Sequence, residues 1–345
     1  MNLIKVAIVG ASGYSGQELI RLLMRHPGVE LVCVTSRQSA GRSIAEIHPR
    51  FAGHRFSDLL FTESDAAAVA ATGASVAFLA LPHGLAHEYA KPLLEAGLRV
   101  IDLSADFRLK DAAVFSEFYH GEHPAPELLS RSVYGLPELY RDAIRDAALI
   151  ASPGCYPTSI ILPLAPLLRK GLLDSSSIVV NSMSGVSGAG RKVDVDYLFC
   201  ECNESARAYG MPKHRHLSEI EQELSAAAGQ PVVISFTPHL IPLNRGICST
   251  ISAKLASGVE PAAIGTALRE AYAGEPFVRL AGEKGSADIK NVANTNFIDI
   301  AWRHDPRTGR ALLLSAEDNV VKGASGQALQ SFNLMCGFDE TLGVL

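Results

Sequence analysis

No stretch of this 345-residue sequence is apolar for long enough to cross a membrane as a helix, which excludes a helical membrane protein. Neither sign of charge dominates. Lys and Arg number 31 and Asp and Glu 36, and a net charge of −5 recommends neither nucleic acid nor an acidic membrane surface as partner. The six cysteines, at 33, 155, 200, 202, 248 and 336, lack the spacing of a disulfide framework, so a reducing, cytoplasmic setting is expected. No cluster of His, Cys and Asp at ligand spacing accompanies His214-Arg215-His216 or Cys200-Glu201-Cys202, and no metal site is expected. Internal repeats and low-complexity linkers are also missing. The apolar stretch Ile4–Val9 reads as a strand rather than a signal peptide. What remains is 48% hydrophobic and 19% charged residues, the proportions of a globular protein long enough for two domains.

Strand-like runs alternate with helical patterns through the first half: Ile4–Val9, Glu30–Thr35, Ser75–Leu81, Arg99–Leu103 and Ala148–Ala151. Apolar residues at 19, 20, 22 and 23 mark an amphipathic helix between the first two, and His87–Gly97 reads likewise. This alternation predicts an α/β fold: a Rossmann-type dinucleotide-binding domain over residues 1–150, with a parallel sheet and helices on both faces. The second half carries longer, partly alternating runs at Ile178–Met183, Val232–Phe236, Cys248–Ala253 and Phe297–Ala301, with a helix over Pro261–Ala273. Residues 151–325 are therefore expected to form an α+β domain with a mainly antiparallel sheet. The helical tail Gly326–Cys336, within residues 326–345, is expected to pack back on the first domain.

Gly10-Ala11-Ser12-Gly13-Tyr14-Ser15-Gly16 follows the first strand and opens the first helix. Small residues there let the backbone approach a pyrophosphate, whose charge sits on the helix N-terminus. The second strand ends Thr35-Ser36-Arg37-Gln38-Ser39, with a guanidinium and hydroxyls where an NAD site wants a carboxylate. Ser36 and Arg37 suit a 2′-phosphate, so NADP(H) is the expected cofactor.

Ser152-Pro153-Gly154-Cys155 forms a turn before an apolar helical run, placing Cys155 at a helix start. Helix N-termini favour thiolate over thiol, which makes Cys155 a candidate nucleophile. A thiolate attacking a carbonyl needs a proton shuttle. His214 and His216 stand among cations just before a helix beginning near Ser218, in a setting that suits an acidic substrate. Arg108 and Arg245 are candidate clamps for its anionic groups, though either suits a structural ion pair, with Asp106 the nearest mate for Arg108. The glycine-rich Ser184–Lys192 segment is donor-rich and flexible.

Together, Gly10–Gly16, Asp102–Arg108, Ser152–Thr158, Ser184–Lys192, His214–Glu219, Pro238–Ile247 and Asp318–Gly326 resemble one family over nearly the whole chain. That family is N-acetyl-gamma-glutamyl-phosphate reductase, in the aspartate-semialdehyde dehydrogenase superfamily. The resemblance implies a nucleophile at Cys155 and an acid/base at His214, with His216 as reserve candidate and substrate contact. It implies that Ser187, Gly188 and Asn319 lie along the cofactor, and that Arg108 and Arg245 share phosphate and carboxylate in an order left open. It further implies that residues 151–325 are the catalytic and oligomerisation domain, with a small acyl-phosphate substrate and a homodimer or homotetramer. A lysine-pathway reductase acting on a carrier-linked acyl phosphate shares the pattern. Aspartate-semialdehyde dehydrogenase and an idle NADP-sensing regulator are the remaining alternatives.

Overall fold

A computed structural model describes residues 3–191 and 193–345; Met1, Asn2 and Lys192, the last residue of the Ser184–Lys192 segment, lie outside them. The described residues divide into two units, one of residues up to Ser116 with Gly121–Pro153 and Ala324–Leu345, the other of Glu117–His120 and those between Gly154 and Gly323.

The first unit is built on seven parallel strands: β1 (Ile4–Val9), β2 (Val29–Thr35), β3 (Phe61–Thr62), β4 (Val76–Leu79), β5 (Arg99–Asp102), β6 (Ser132–Tyr134) and β7 (Leu149–Ala151). Their order is β3-β2-β1-β4-β5-β7-β6. The central strands are buried on both faces, which is why they read as continuous apolar runs. Chain order reverses between β1 and β4, and in such sheets the crevice beyond the strands' carboxyl ends at that point receives the ligand. The helix Tyr14–Leu23 buries Leu19, Ile20, Leu22 and Leu23. The C-terminal helix Gly326–Cys336, buried through Met335, packs on the helices Pro137–Asp146 and Tyr14–Leu23. Two of its polar residues are paired within this unit: Asn333 Oδ1 lies 3.0 Å from His26 Nε2, and Gln330 Nε2 donates to Glu138 at 3.1 Å.

The second unit holds a mixed sheet of β8 (Val179–Ser184), β9 (Arg207–Ala208), β10 (Ser235–Leu240), β11 (Ile247–Lys254), β12 (Val278–Gly282), β13 (Ile298–Asp305) and β14 (Arg310–Glu317), in the order β12-β13-β14-β11-β8-β10-β9. The β8–β10 and β12–β13 pairs are parallel and the other pairings antiparallel. Burial alternates along β8: Val180, Ser182 and Ser184 face the core, while Val179, Asn181 and Met183 are exposed. The helix Cys155–Arg169 packs on β11, β14 and the helix His216–Ala228. The run Val232–Phe236 differs from its sequence reading, because pairing starts only at Ser235. Val232 and Ile234 donate their N–H groups to Ser225 Oγ and Glu221 Oε1, so the preceding helix takes the donors that a strand would spend on the sheet. Among the described residues, no helix is long and apolar enough to cross a membrane.

Candidate active site

The glycine turn sits at the carboxyl end of β1. Gly10 has φ +83°, and a Cβ on it would lie 2.5 Å from the Ala80 carbonyl oxygen; one on Gly16 would lie 2.5 Å from Ala11 Cα. These close approaches hold Tyr14, Ser15 and Gly16 as the first helical residues, whose N–H groups have no acceptor within the helix. Gly13 caps that helix in extended conformation, and Ser12 Oγ meets Ser36 Oγ at 3.0 Å, joining the turn to the end of β2. Arg37 follows, 64% exposed, with Nη2 3.7 Å from Glu88 Oε2. This cradle of bare backbone, N–H donors, hydroxyls and a guanidinium fits a dinucleotide bearing a 2′-phosphate.

In the second unit Cys155 is the first residue of its helix, half-buried, after a Gly154 cap with φ −70° and ψ 157°. No carboxylate stands in that helix's first turn, so the positive end of the dipole acts on the thiol unopposed by its own helix. The turn is held from a distance: Gly154 N–H donates to Glu219 Oε1 at 2.9 Å, and Glu219 is only 1% exposed. Glu219 lies in the first turn of the helix His216–Ala228, which His216 begins. Local pattern assigns Glu219 no role of its own, because its partner Gly154 lies 65 residues away.

The two histidines are placed differently. The His214 ring is boxed by Tyr156, Tyr209, His216 and Phe236, at centroid distances of 5.5, 5.5, 5.0 and 5.7 Å. Its Nδ1 accepts the His216 N–H at 3.1 Å, which puts the ring proton on Nε2. Burial, helped by the Arg215 cation, pushes its pKa down to about 4, so it is neutral at pH 7. The His216 ring stands 5.9 Å from Tyr156. The Tyr156 and Tyr209 hydroxyls meet at 2.9 Å, and burial raises both phenols further above their ordinary range. The charge on Cys155 also raises both phenols, and sequence reasoning did not single out either tyrosine.

Asn319, Ser187, Gly188 and Arg245 come together in the second unit. Asn319 Oδ1 accepts the Gly246 N–H at 2.7 Å and Nδ2 donates to Ser187 Oγ at 3.0 Å, so one amide fixes both loops. Arg245, 21% exposed, reaches Asn294 Oδ1 at 3.5 Å and the buried Asp318 carboxylate at 3.7 Å.

Arg108, in the first unit, is buried and committed to main chain: Nε donates to Ser152 O at 2.8 Å and Nη2 to Leu103 O at 2.9 Å. The expected mate is otherwise engaged, since Asp106 spends its two oxygens on the N–H groups of Gly84 and Ala86, at 2.6 and 2.9 Å. Behind it, burial and the Asp106 charge push the Asp102 carboxyl up to about 7. Among the described residues, no three His, Cys, Asp or Glu side chains gather as a metal site.

Comparison with known proteins follows the same division. Residues 5–147 match the family model described as semialdehyde dehydrogenase, NAD binding domain, and residues 155–319 match semialdehyde dehydrogenase, dimerisation domain. The chain is 62% identical over 344 residues to a protein of Akkermansia muciniphila named N-acetyl-gamma-glutamyl-phosphate reductase, covering 100% of this chain and 99% of that one. It is 51% identical over 344 residues to a protein of the same name from Geobacter sp. strain M21, covering 99% and 98%. Among solved structures, aspartate semialdehyde dehydrogenase II of Vibrio cholerae superimposes with a TM-score of 0.74 at 17% identity, covering 98% of this chain and 99% of that one. The Candida albicans aspartate semialdehyde dehydrogenase with NADP gives 0.72 at 16%, covering 97% and 98%. At such identities these structures speak for the fold.

Proposed function

The chain belongs to the semialdehyde dehydrogenase family, among its N-acetyl-gamma-glutamyl-phosphate reductases, and from that premise we infer how its residues carry out the reaction. The reaction is the NADPH-dependent reduction of N-acetyl-gamma-glutamyl phosphate to N-acetylglutamate semialdehyde and phosphate, a step of arginine biosynthesis. The observation that carries the residue assignment is Cys155 at the first position of its helix, on a turn held by Glu219.

The Cys155 thiolate attacks the acyl carbon of the substrate. The bond from that carbon to the phosphate oxygen breaks, phosphate leaves with the electron pair, and a thioester remains on Cys155. Main-chain N–H groups at the helix start stabilise the oxygen as it gains charge. NADPH, when bound, supplies the hydride that reduces the acyl group. A proton from the histidine pair then neutralises the hemithioacetal oxygen, and returns as the carbon–sulfur bond breaks and the aldehyde carbonyl forms.

His216 suits that proton transfer better than His214. His214 Nδ1 is taken by a main-chain N–H and its boxed ring resists protonation, so His214 serves as the wall that holds the His216 backbone. Arg245 contributes positive charge for an anionic group of the substrate, whereas Arg108 keeps its guanidinium on main-chain carbonyls. Arg37 and Ser36 take the 2′-phosphate of the cofactor, the main-chain N–H groups of Tyr14, Ser15 and Gly16 its pyrophosphate, and Ser187, Gly188 and Asn319 line it further along.

The exposed Val179 and Met183 on the open face of β8, within the part matched as a dimerisation domain, support a homodimer or homotetramer built on this sheet. Met183→Arg should lower the mass found by sedimentation, and an unchanged mass would exclude this face. The free cysteines accord with a cytoplasmic enzyme. Phosphate-dependent reduction of NADP with N-acetylglutamate semialdehyde, set against aspartate semialdehyde, tests the function. Preference for the acetylated substrate is expected; preference for aspartate semialdehyde would overturn it.

A further inference from the structure

The wall behind Cys155 is a bare backbone. Val321–Ser325 forms one turn of π-helix ahead of the helix Gly326–Cys336, and such turns recur at functional sites because the extra residue re-aims the backbone. Within it, Gly323 lies against the nucleophile: a Cβ there would stand 2.7 Å from Cys155 Cβ, 3.2 Å from Cys155 Cα and 2.9 Å from Glu317 Oε1. Distances below 3 Å leave no room for a methyl group unless Cys155 or the buried Glu317 moves. Its φ is not in the left-handed region, so the requirement for glycine is one of space rather than backbone conformation.

The position of Gly323 is fixed by Asp318. The Asp318 carbonyl accepts the Gly323 N–H at 2.9 Å and the Val321 N–H at 3.2 Å. The Asp318 carboxylate accepts from Val320, Val321 and Asn294 at 2.8, 3.1 and 2.6 Å, and faces the Arg245 guanidinium. The turn that backs the thiol is therefore anchored at the residue that steadies Arg245. We propose that Gly323 is a positioning residue for the reaction: its bare Cα, held by Asp318, seats the Cys155 side chain and fixes where the sulfur meets the acyl carbon. The inference rests on Cys155 as nucleophile and adds the contact that aims it.

Gly323→Ala tests this, and its alkylation readout does not depend on the substrate's identity. The rate of iodoacetamide alkylation at Cys155 is followed against pH, beside kcat, KM and the melting temperature. The expected result is a folded variant whose alkylation rate changes at least about threefold or whose pH midpoint moves, with kcat lowered about tenfold or more and KM within about twofold, the pattern of a lost transition-state geometry. A folded variant with native alkylation, pH midpoint and kcat would overturn the proposal. A double-mutant cycle covers a variant that folds poorly. Cys155→Gly removes the Cβ that Gly323→Ala would strike, so Gly323→Ala should cost fewer degrees of melting temperature in that background than beside Cys155. Equal cost in both backgrounds, or failure of the double variant to fold where Cys155→Gly folds, would place the constraint elsewhere and contradict the proposal. Full activity in Cys155→Ser would fault the nucleophile itself, and leaves the cycle readable as a separate result.

Discussion

Glu219 Oε1 accepts the Gly154 N–H at 2.9 Å, so the turn that presents Cys155 is fastened to the helix that His216 begins. The nucleophile and the proposed proton carrier thus share one buried carboxylate as a common mount. Glu219→Ala leaves that buried N–H without its acceptor, a loss of about 1–3 kcal/mol. It should lower the melting temperature and reduce kcat by about tenfold or more, with NADPH affinity unchanged. Steady-state kinetics and cofactor titration read both effects. A native kcat would show that the mount is dispensable.

Arg37 stands exposed at the end of β2, where a ribose 2′-substituent is read in this type of sheet. Arg37→Asp should weaken NADPH binding by an order of magnitude or more, about the 1.4 kcal/mol of one charged contact, and leave NADH little changed. Fluorescence titration with both nucleotides distinguishes this from an equal loss with each, which would remove Arg37 from the cofactor site.

His214 gives the protein an acid sensitivity of defined sign. Its folded pKa of about 4 lies below the ordinary histidine value of 6.5, so between these limits the unfolded chain binds the extra proton. Stability must then fall as the pH drops from 6.5 toward 4, with a slope of at most about 1.4 kcal/mol per pH unit from this group. Urea unfolding across that range, compared with His214→Phe, should show the slope reduced in the variant. An identical slope would mean that the ring is not held neutral.

The parts of the fold that were legible in the sequence are those with local signals. The strand Ile4–Val9, the glycine turn and the helix Gly326–Cys336 carry apolar periodicity and glycine punctuation, and each forms where these predict. Phe61–Thr62 and Ser132–Tyr134 are too short to show a period, yet they complete the parallel sheet. The strand Arg310–Glu317 escaped because its apolar run Ala311–Leu314 breaks alternation, although it lies in the middle of the second sheet. Val232–Phe236 misled because its donors are captured by Ser225 and Glu221.

The site divides in the same way. Cys155, Arg37 and the glycine turn are candidates on chain-local chemistry. Glu219, Tyr209 and Gly323 make their contacts with partners 65, 53 and 168 residues away, and no spacing rule reaches that far. The pairing of Arg108 with Asp106 looked natural from their closeness in sequence. Folding instead gives Asp106 to two main-chain N–H groups and Arg108 to two carbonyls. The proposal of His216 over His214 rests on which ring nitrogen is already occupied, and sequence carries no sign of that.

The central claim is that Cys155 carries the acyl group between phosphate and hydride. Mixing the enzyme with N-acetyl-gamma-glutamyl phosphate in the absence of NADPH, followed by acid quench, peptide mass analysis and a phosphate assay, tests it most directly. The account predicts a stoichiometric burst of phosphate and an N-acetylglutamyl adduct on the peptide bearing Cys155, both absent in Cys155→Ser. A burst with no adduct on Cys155, or turnover surviving in Cys155→Ser, would contradict it.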